Sequence, residues 1–162
     1  MSNAYDVLRA HHNVLRGLGS RFKGAPVGSP ERQQALDDLL REFTIHMRIE
    51  DDIYYPALAA ASKLIAIAHA EHRQIYDQLA VALRTPASSP RHVDEWNSFL
   101  TVLEAHADEE ERDLVPPPAP VDLSETELEE LGNRMAAEME RQRNSKFEQL
   151  HVKARTALLK AF

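Results

Sequence analysis

Two short segments of the chain pair a histidine with a carboxylate four residues on: His46 with Glu50 and His106 with Glu110. On a helix, residues at that spacing share a face, with Cβ atoms about 5–6 Å apart, so each pair can point into one site. Imidazole and carboxylate together can hold a metal ion, and the mixture does not by itself name which one. The surroundings of the two segments also match. His46-x-x-x-Glu50-Asp51 is followed by Pro56, and His106-x-x-x-Glu110-Glu111 by Pro116, each proline six positions after the glutamate. A further histidine lies upstream of each: His11, 35 residues before His46, and His72, 34 before His106. The stretches HHNVLRGL (11–18) and HRQIYDQL (72–79) place histidine, aliphatic and leucine at the same offsets. The chain reads as two copies of one unit, and a two-fold repeat of polar residues implies a two-fold symmetric site.

These residues need helices to aim them. Proline, glycine and serine cluster at GAPVGSP (24–30), TPASSP (85–90) and VPPPAP (115–120), and between them apolar residues recur at three and four. The first helix is expected from about Asn3 to Phe22, with Val7, Val14, Leu18 and Phe22 near one face. The second starts at Ser29-Pro30, a cap followed by proline in the first turn, and runs to Pro56. The third covers roughly 62–84, and the fourth opens at Ser89-Pro90 and ends before Pro116. Ser124 and Glu127 form a capping box that begins a fifth. No stretch alternates apolar and polar residues over a useful length, so a sheet is not expected. The predicted fold is all-α: an up-down-up-down four-helix bundle over residues 1–118, with an additional C-terminal helix over 119–162.

On these helices His11, His46, His72 and His106 all share faces with aliphatic and aromatic residues, and Glu50 and Glu110 lie with them. Six polar side chains buried without partners would cost several kcal/mol. Two metal ions bound by all six would satisfy them together. His12, His92 and His151 fall off the inward face or in loops and read as solvated surface. Asp51 and Glu111 read as rim residues, within reach of a ligand histidine.

Composition narrows the function classes. The chain has 162 residues, 43% hydrophobic and 28% charged, enough for one domain with a core. Its formal net charge of −7 disfavours nucleic acid and anionic membrane as partners. The absence of cysteine excludes disulfides, iron–sulfur clusters and thiol catalysis. The start, MSNAYDVLRA, lacks the order of a signal peptide, and no apolar run spans a bilayer, so the cytoplasm is the expected compartment.

The arrangement H…HxxxE…H…HxxxE, filled by His11, His46, Glu50, His72, His106 and Glu110, resembles the hemerythrin HHE cation-binding domain. The flanks agree: HMRIEDDIYYPAL (46–58) is similar to the family's HxxxEE…LYP segment, and AEHRQI (70–75) to its EHxxI. The resemblance implies two iron ions (Fe2+/Fe3+), bridged by the two carboxylates and an oxo or hydroxo group, with other divalent metals as alternatives. It implies a partner such as O2 or another small diatomic or peroxide. Oxygen-carrying members have two histidines four apart on the third helix, whereas here Ala68 stands four before His72. His69, three before it, reaches the site only with some rotation of the helix and is otherwise a rim residue. Tyr54 or Tyr55, or water, can take the position that the fifth histidine fills in those proteins.

Four imidazoles, four carboxylate oxygens and a bridging oxygen counted twice give about ten bonds, against twelve for two octahedral ions. About two positions remain for a ligand. With only two carboxylates against the metal charge, high-valent iron is less stabilised than in four-carboxylate bundles. The centre therefore fits binding, sensing or peroxide reduction better than oxidation of a hard C–H bond, and a non-enzymatic protein that binds or senses O2 or NO is the leading expectation. The alternative is an enzyme reducing peroxide or nitric oxide, or an iron donor for repair. From Ser124 one apolar stripe runs through Leu128, Leu131, Met135 and Met139, breaks across ERQRNSK (140–146), and restarts at Phe147, Leu150, Ala154 and Leu158. One straight helix over these 39 residues would extend about 58 Å, longer than the bundle. A bend near Asn144 or a homodimer through this segment is expected, the dimer slightly ahead.

Overall fold

The computed structural model describes residues 2–161, and helices and connecting turns account for all of its secondary structure. The bundle consists of α1 (Ala4–Gly24), α2 (Pro30–Ile49), α3 (Ser62–Arg84) and α4 (His92–Asp113), in up-down-up-down order. Two more helices follow, α5 (Glu125–Asn144) and α6 (Lys146–Ala161). Local chemistry sets the starts. Asn3 and Asp6 form a capping box at α1, Ser29 accepts from the Arg32 N–H at α2, and Ser124 and Glu127 form the box at α5. The fourth helix begins at His92, two residues past the expected Ser89-Pro90 start.

The end of α2 is irregular. From Glu50 to Tyr54 the chain makes a π-helical turn, in which the Tyr55 N–H reaches the Glu50 carbonyl five residues back. Pro56 follows in a last turn, Tyr55–Ala57, where it has no N–H to offer the helical ladder. π-turns are rare and concentrate at functional sites. The matching segment of α4 stays α-helical through Glu110.

The core has two apolar clusters. One contains Leu15, Phe22, Leu39, Phe43, Ile75, Leu79, Trp96, Phe99 and Leu103. The other contains Ala4, Leu8, Ile45, Ile49, Tyr54, Tyr55, Ala68, Leu114, Leu131, Met135 and Met139. Along every bundle helix a polar residue stands between the two: His11 and His12 between Leu8 and Leu15, His46 between Phe43 and Ile49, His72 between Ala68 and Ile75, and His106 between Leu103 and Leu114. The core is thus divided by a polar layer at one level of the bundle.

The C-terminal segment takes the bend. It breaks at Ser145, and α5 lies on α1 and α2, with Leu131, Met135 and Met139 in the second cluster. The crossing is close enough that a Cβ on Gly132 would stand 2.7 Å from the backbone of Asn3. Helix α6 folds back along α3 and α2. Arg48 pairs with Glu148, Arg84 Nε donates to the Leu159 carbonyl, and the Arg155 guanidinium stacks on Tyr76. Its restarted apolar stripe faces outward, with Phe147, Leu150 and Leu158 exposed by 75%, 65% and 60%. Among the described residues, no single helix is long and apolar enough to cross a membrane.

Candidate metal centre

Six side chains from the four bundle helices meet in the polar layer: His12, His46, Glu50, His72, His106 and Glu110, all buried. Every histidine turns its Nε2 inward. Glu50 lies at the middle, with Oε1 2.7 Å from His46 Nε2 and 3.7 Å from His12 Nε2. Its Oε2 is 2.9 Å from His72 Nε2 and 3.5 Å from His106 Nε2. One carboxylate therefore addresses both histidine pairs, one oxygen to each. Glu110 Oε2 stands 3.3 Å from His12 Nε2 and 3.8 Å from His106 Nε2, again between the pairs.

The donor set suits a metal. His12 Nε2, His46 Nε2, Glu50 Oε1 and both Glu110 oxygens are buried without an aligned hydrogen-bond partner. Buried polar atoms are normally satisfied, so a converging group of orphans is consistent with a shared partner. The Nε2 atoms of His72 and His106 face each other at 3.1 Å, which suits a cation between them. Two overlapping buried groups can each hold an ion: His12, His46, Glu50 and Glu110, and Glu50, His72 and His106; a third, at the rim, joins Asp51 and His69 to His72.

Two of the outward nitrogens are held in turn. His12 Nδ1 is hydrogen-bonded to Glu111 at 2.8 Å and His106 Nδ1 to Glu71 at 2.6 Å, while His72 Nδ1 lies 3.0 Å from Asp51 without an aligned hydrogen bond. Such partners fix the ring and its tautomer for metal binding. His46 Nδ1 instead meets His11 Nδ1 at 3.0 Å.

The electrostatics follow from burying acids and bases together. Burial opposes the charged form of His12, yet the nearby carboxylates of Glu110 and Glu50 outweigh this and push it up to about 10. Against the same burial, Glu50 and Glu71 raise His106 to about 10, and Asp51 and Glu50 raise His72 to about 9. His46, the most deeply enclosed, is lowered by burial to about 3 despite Glu50. Glu110 is pushed up to about 8 by burial and by the charge of Glu50, whereas the surrounding histidines hold Glu50 below its ordinary value against burial. Outside the centre, bonds from His11 and Arg143 hold Glu42 at about 2, again against burial.

The structure brings together five of the six residues expected from sequence: His46, Glu50, His72, His106 and Glu110. His11 is buried beside them, but both its ring nitrogens are engaged, by His46 and by Glu42. His12, expected on the surface, is fully buried and takes the inward position. The buried face of α1 is Ala4, Leu8, His11, His12, Leu15, Gly19 and Phe22, while Val14 is 43% exposed. A stripe centred on Leu8 and Leu15 rather than Val7 and Val14 includes both histidines, because α1 is covered by α2, α4 and α5. A signal was present in the spacing: His12 is 34 residues before His46, the same interval that separates His72 from His106.

The remaining candidates separate clearly. His69 turns its Nδ1 to Asp51 at 3.2 Å on the half-exposed rim, outside the six-residue cluster but grouped with Asp51 and the shared His72. The Tyr55 hydroxyl reaches the centre, 3.3 Å from both Glu50 Oε2 and His72 Nε2. Burial and the Glu50 charge raise its pKa far above the ordinary phenol value. The Tyr54 hydroxyl donates to the Leu114 carbonyl, tying the π-turn to the end of α4. A cavity of about 100 Å³ between α1 and α4 reaches the centre at His12 and His46, with Gly19, Leu100, Leu103, Arg16 and Lys23 along it.

Comparison with known proteins agrees with this geometry. The sequence profile of the Hemerythrin HHE cation binding domain matches residues 3–117. An uncharacterized protein of Mycobacterium tuberculosis, Rv2633c, is 57% identical over 159 residues, covering 98% of this chain and 99% of its own. A counterpart in Mycobacterium bovis, Mb2666c, has the same identity and coverage. The crystal structure of a hemerythrin HHE cation binding domain-containing protein from Mycobacterium kansasii, a homolog of Rv2633c, superposes with a TM-score of 0.91. It is 60% identical, with 100% of each chain covered.

Proposed function

The chain belongs to the hemerythrin HHE cation-binding family, and on that premise we propose that its centre holds two iron ions and binds or senses O2 or a related small ligand such as NO. The observation that carries the reading is the position of Glu50, whose two oxygens each face one histidine pair. His12 and His46 would hold one ion, His72 and His106 the other, with Glu50 and Glu110 shared. Iron bound there would supply a one-electron couple at each ion and open positions for a ligand. Apolar clusters flank the layer on both sides. The cavity has room for a ligand of a few atoms.

A second reading, reduction of peroxide or nitric oxide, is favoured by the Tyr55 hydroxyl, which can give a hydrogen bond at the centre itself. His69 is turned to Asp51, so the second ion has no third histidine, an arrangement that suits sensing or turnover better than carriage of O2. The outward stripe of α6 fits a homodimer in which Phe147, Leu150 and Leu158 meet a second copy. Light scattering on Leu150→Glu tests this: a dimer that becomes a monomer supports it, and a monomeric parent protein rejects it.

The central test is metal analysis of protein reconstituted with Fe(II), followed by rapid mixing of the reduced form with O2, NO and H2O2. About two ions per chain are expected. A stable adduct with O2 or NO supports binding, and repeated consumption of peroxide or NO supports the enzyme. Less than about half an ion per chain rejects the di-iron reading.

A further inference from the structure

Three of the four inward histidines have a carboxylate beside Nδ1: Glu111 for His12, Asp51 for His72 and Glu71 for His106. For His46 the carboxylate stands one residue farther away. His46 Nδ1 meets His11 Nδ1 at 3.0 Å, and His11 Nε2 lies 2.9 Å from Glu42 Oε2. Glu42 is gripped by the Arg143 guanidinium of α5, with Nε 3.0 Å from Oε1 and Nη2 2.8 Å from Oε2. A two-pronged arginine–carboxylate pair of this kind fixes direction as well as charge.

The protons along this chain can be ordered in one way only if His46 Nε2 is to hold a metal. His46 then carries its proton on Nδ1 and donates to His11 Nδ1. His11 must accept there, which leaves its own proton on Nε2, donating to Glu42. Each member is satisfied by the next, and His11, Glu42 and His46 are all buried. Helix α5, beyond the four that form the bundle, supplies the final anchor.

We propose that His11, Glu42 and Arg143 are positioning residues that lock His46 with Nε2 inward, so that α5 governs retention of the ion on the His12/His46 side. The inference rests on the two-ion reading above. It makes the two ions unequal: the His72/His106 ion depends on carboxylates of the π-turn and α3, and the other depends on a contact that α5 makes from outside the bundle.

The test is iron release from loaded full-length protein to a colorimetric Fe(II) chelator, with metal content and the visible spectrum followed in parallel. In Glu42→Ala and Arg143→Met, one of the two ions is expected to leave about 10–100-fold faster than in the parent, and the other at the parent rate. His11→Asn, which keeps an acceptor where Nδ1 stood, should release more slowly than His11→Leu. Arg143→Met is the safeguard should Glu42→Ala fail to fold, because Arg143 is only partly buried and sits near the end of α5. Parent-like release of both ions in Arg143→Met overturns the proposal, as does equal acceleration of both. A parent protein that takes up no iron fails the two-ion reading instead, so the two failures are told apart.

Discussion

The halves of the molecule, α1–α2 and α3–α4, are nearly the same in sequence spacing and differ in how each presents its glutamate. In the first half the helix switches to a π-turn at Glu50, and that carboxylate comes within 3.7 Å of all four inward histidines. In the second, α4 stays regular, and Glu110 lies close to only His12 and His106. The charges follow the geometry: Glu50 is held ionised by its neighbours, while Glu110 is pushed towards its neutral form. A repeat in sequence therefore does not produce equivalent ligands. One backbone irregularity makes one glutamate the hub of the centre and the other an accessory.

The strongest way to break this comparison is to remove each glutamate in turn. Glu50→Ala is expected to lose both ions, and Glu110→Ala to keep about one, measured as iron per chain after reconstitution. Equal losses would mean that the π-turn confers no special role. Next in size is the first half's histidine pair. His12→Ala should remove at least one ion and His69→Ala none; an intact centre in His12→Ala would return the ligand role to His11.

Removal of metal across a pH series sharpens the electrostatic side of the contrast. Without metal, His12, His72 and His106 have pKa values raised from 6.5 to about 9–10. Groups raised on folding contribute stability that is full below about 6.5 and lost as pH climbs through 9–10, and Glu110, raised to about 8, acts in the same direction. Metal must displace these protons, so its stabilisation strengthens as pH rises. The gap in melting temperature between loaded and metal-free protein should widen from pH 6 to pH 9. A constant gap would separate the titrating groups from the metal ligands.

The smallest expected effect lies outside the repeat, at the crossing of α5 with α1. Gly132→Ala places a methyl group 2.7–2.8 Å from backbone atoms of Ser2, Asn3 and Ala4 and should cost about 1–3 kcal/mol by chemical denaturation. Iron content should stay near that of the parent, because α1 need only shift at its start. An unaffected midpoint would show that α5 is seated more loosely than the structure has it.

By itself the sequence determined the helices and most of the centre. Caps at Ser29 and Ser124, proline-rich breaks and three–four periodicity specify the bundle, because these signals are local. His46, Glu50, His106 and Glu110 were legible because four-residue spacing on a helix leaves little freedom in where they point. His11 and His12 were not separable in this way. Neighbours on a helix stand about 100° apart, and the buried stripe of α1 is wide enough to hold both. The matching 34-residue interval favoured His12, and the placement of Glu42, Arg143, Glu110 and Glu111 around α1 decided which ring faces the centre. The break at Ser145 has the same character. The sequence showed that one straight helix would overrun the bundle, and the seats for Glu148, Arg155 and Leu159 on α2 and α3 fixed where the chain turned back.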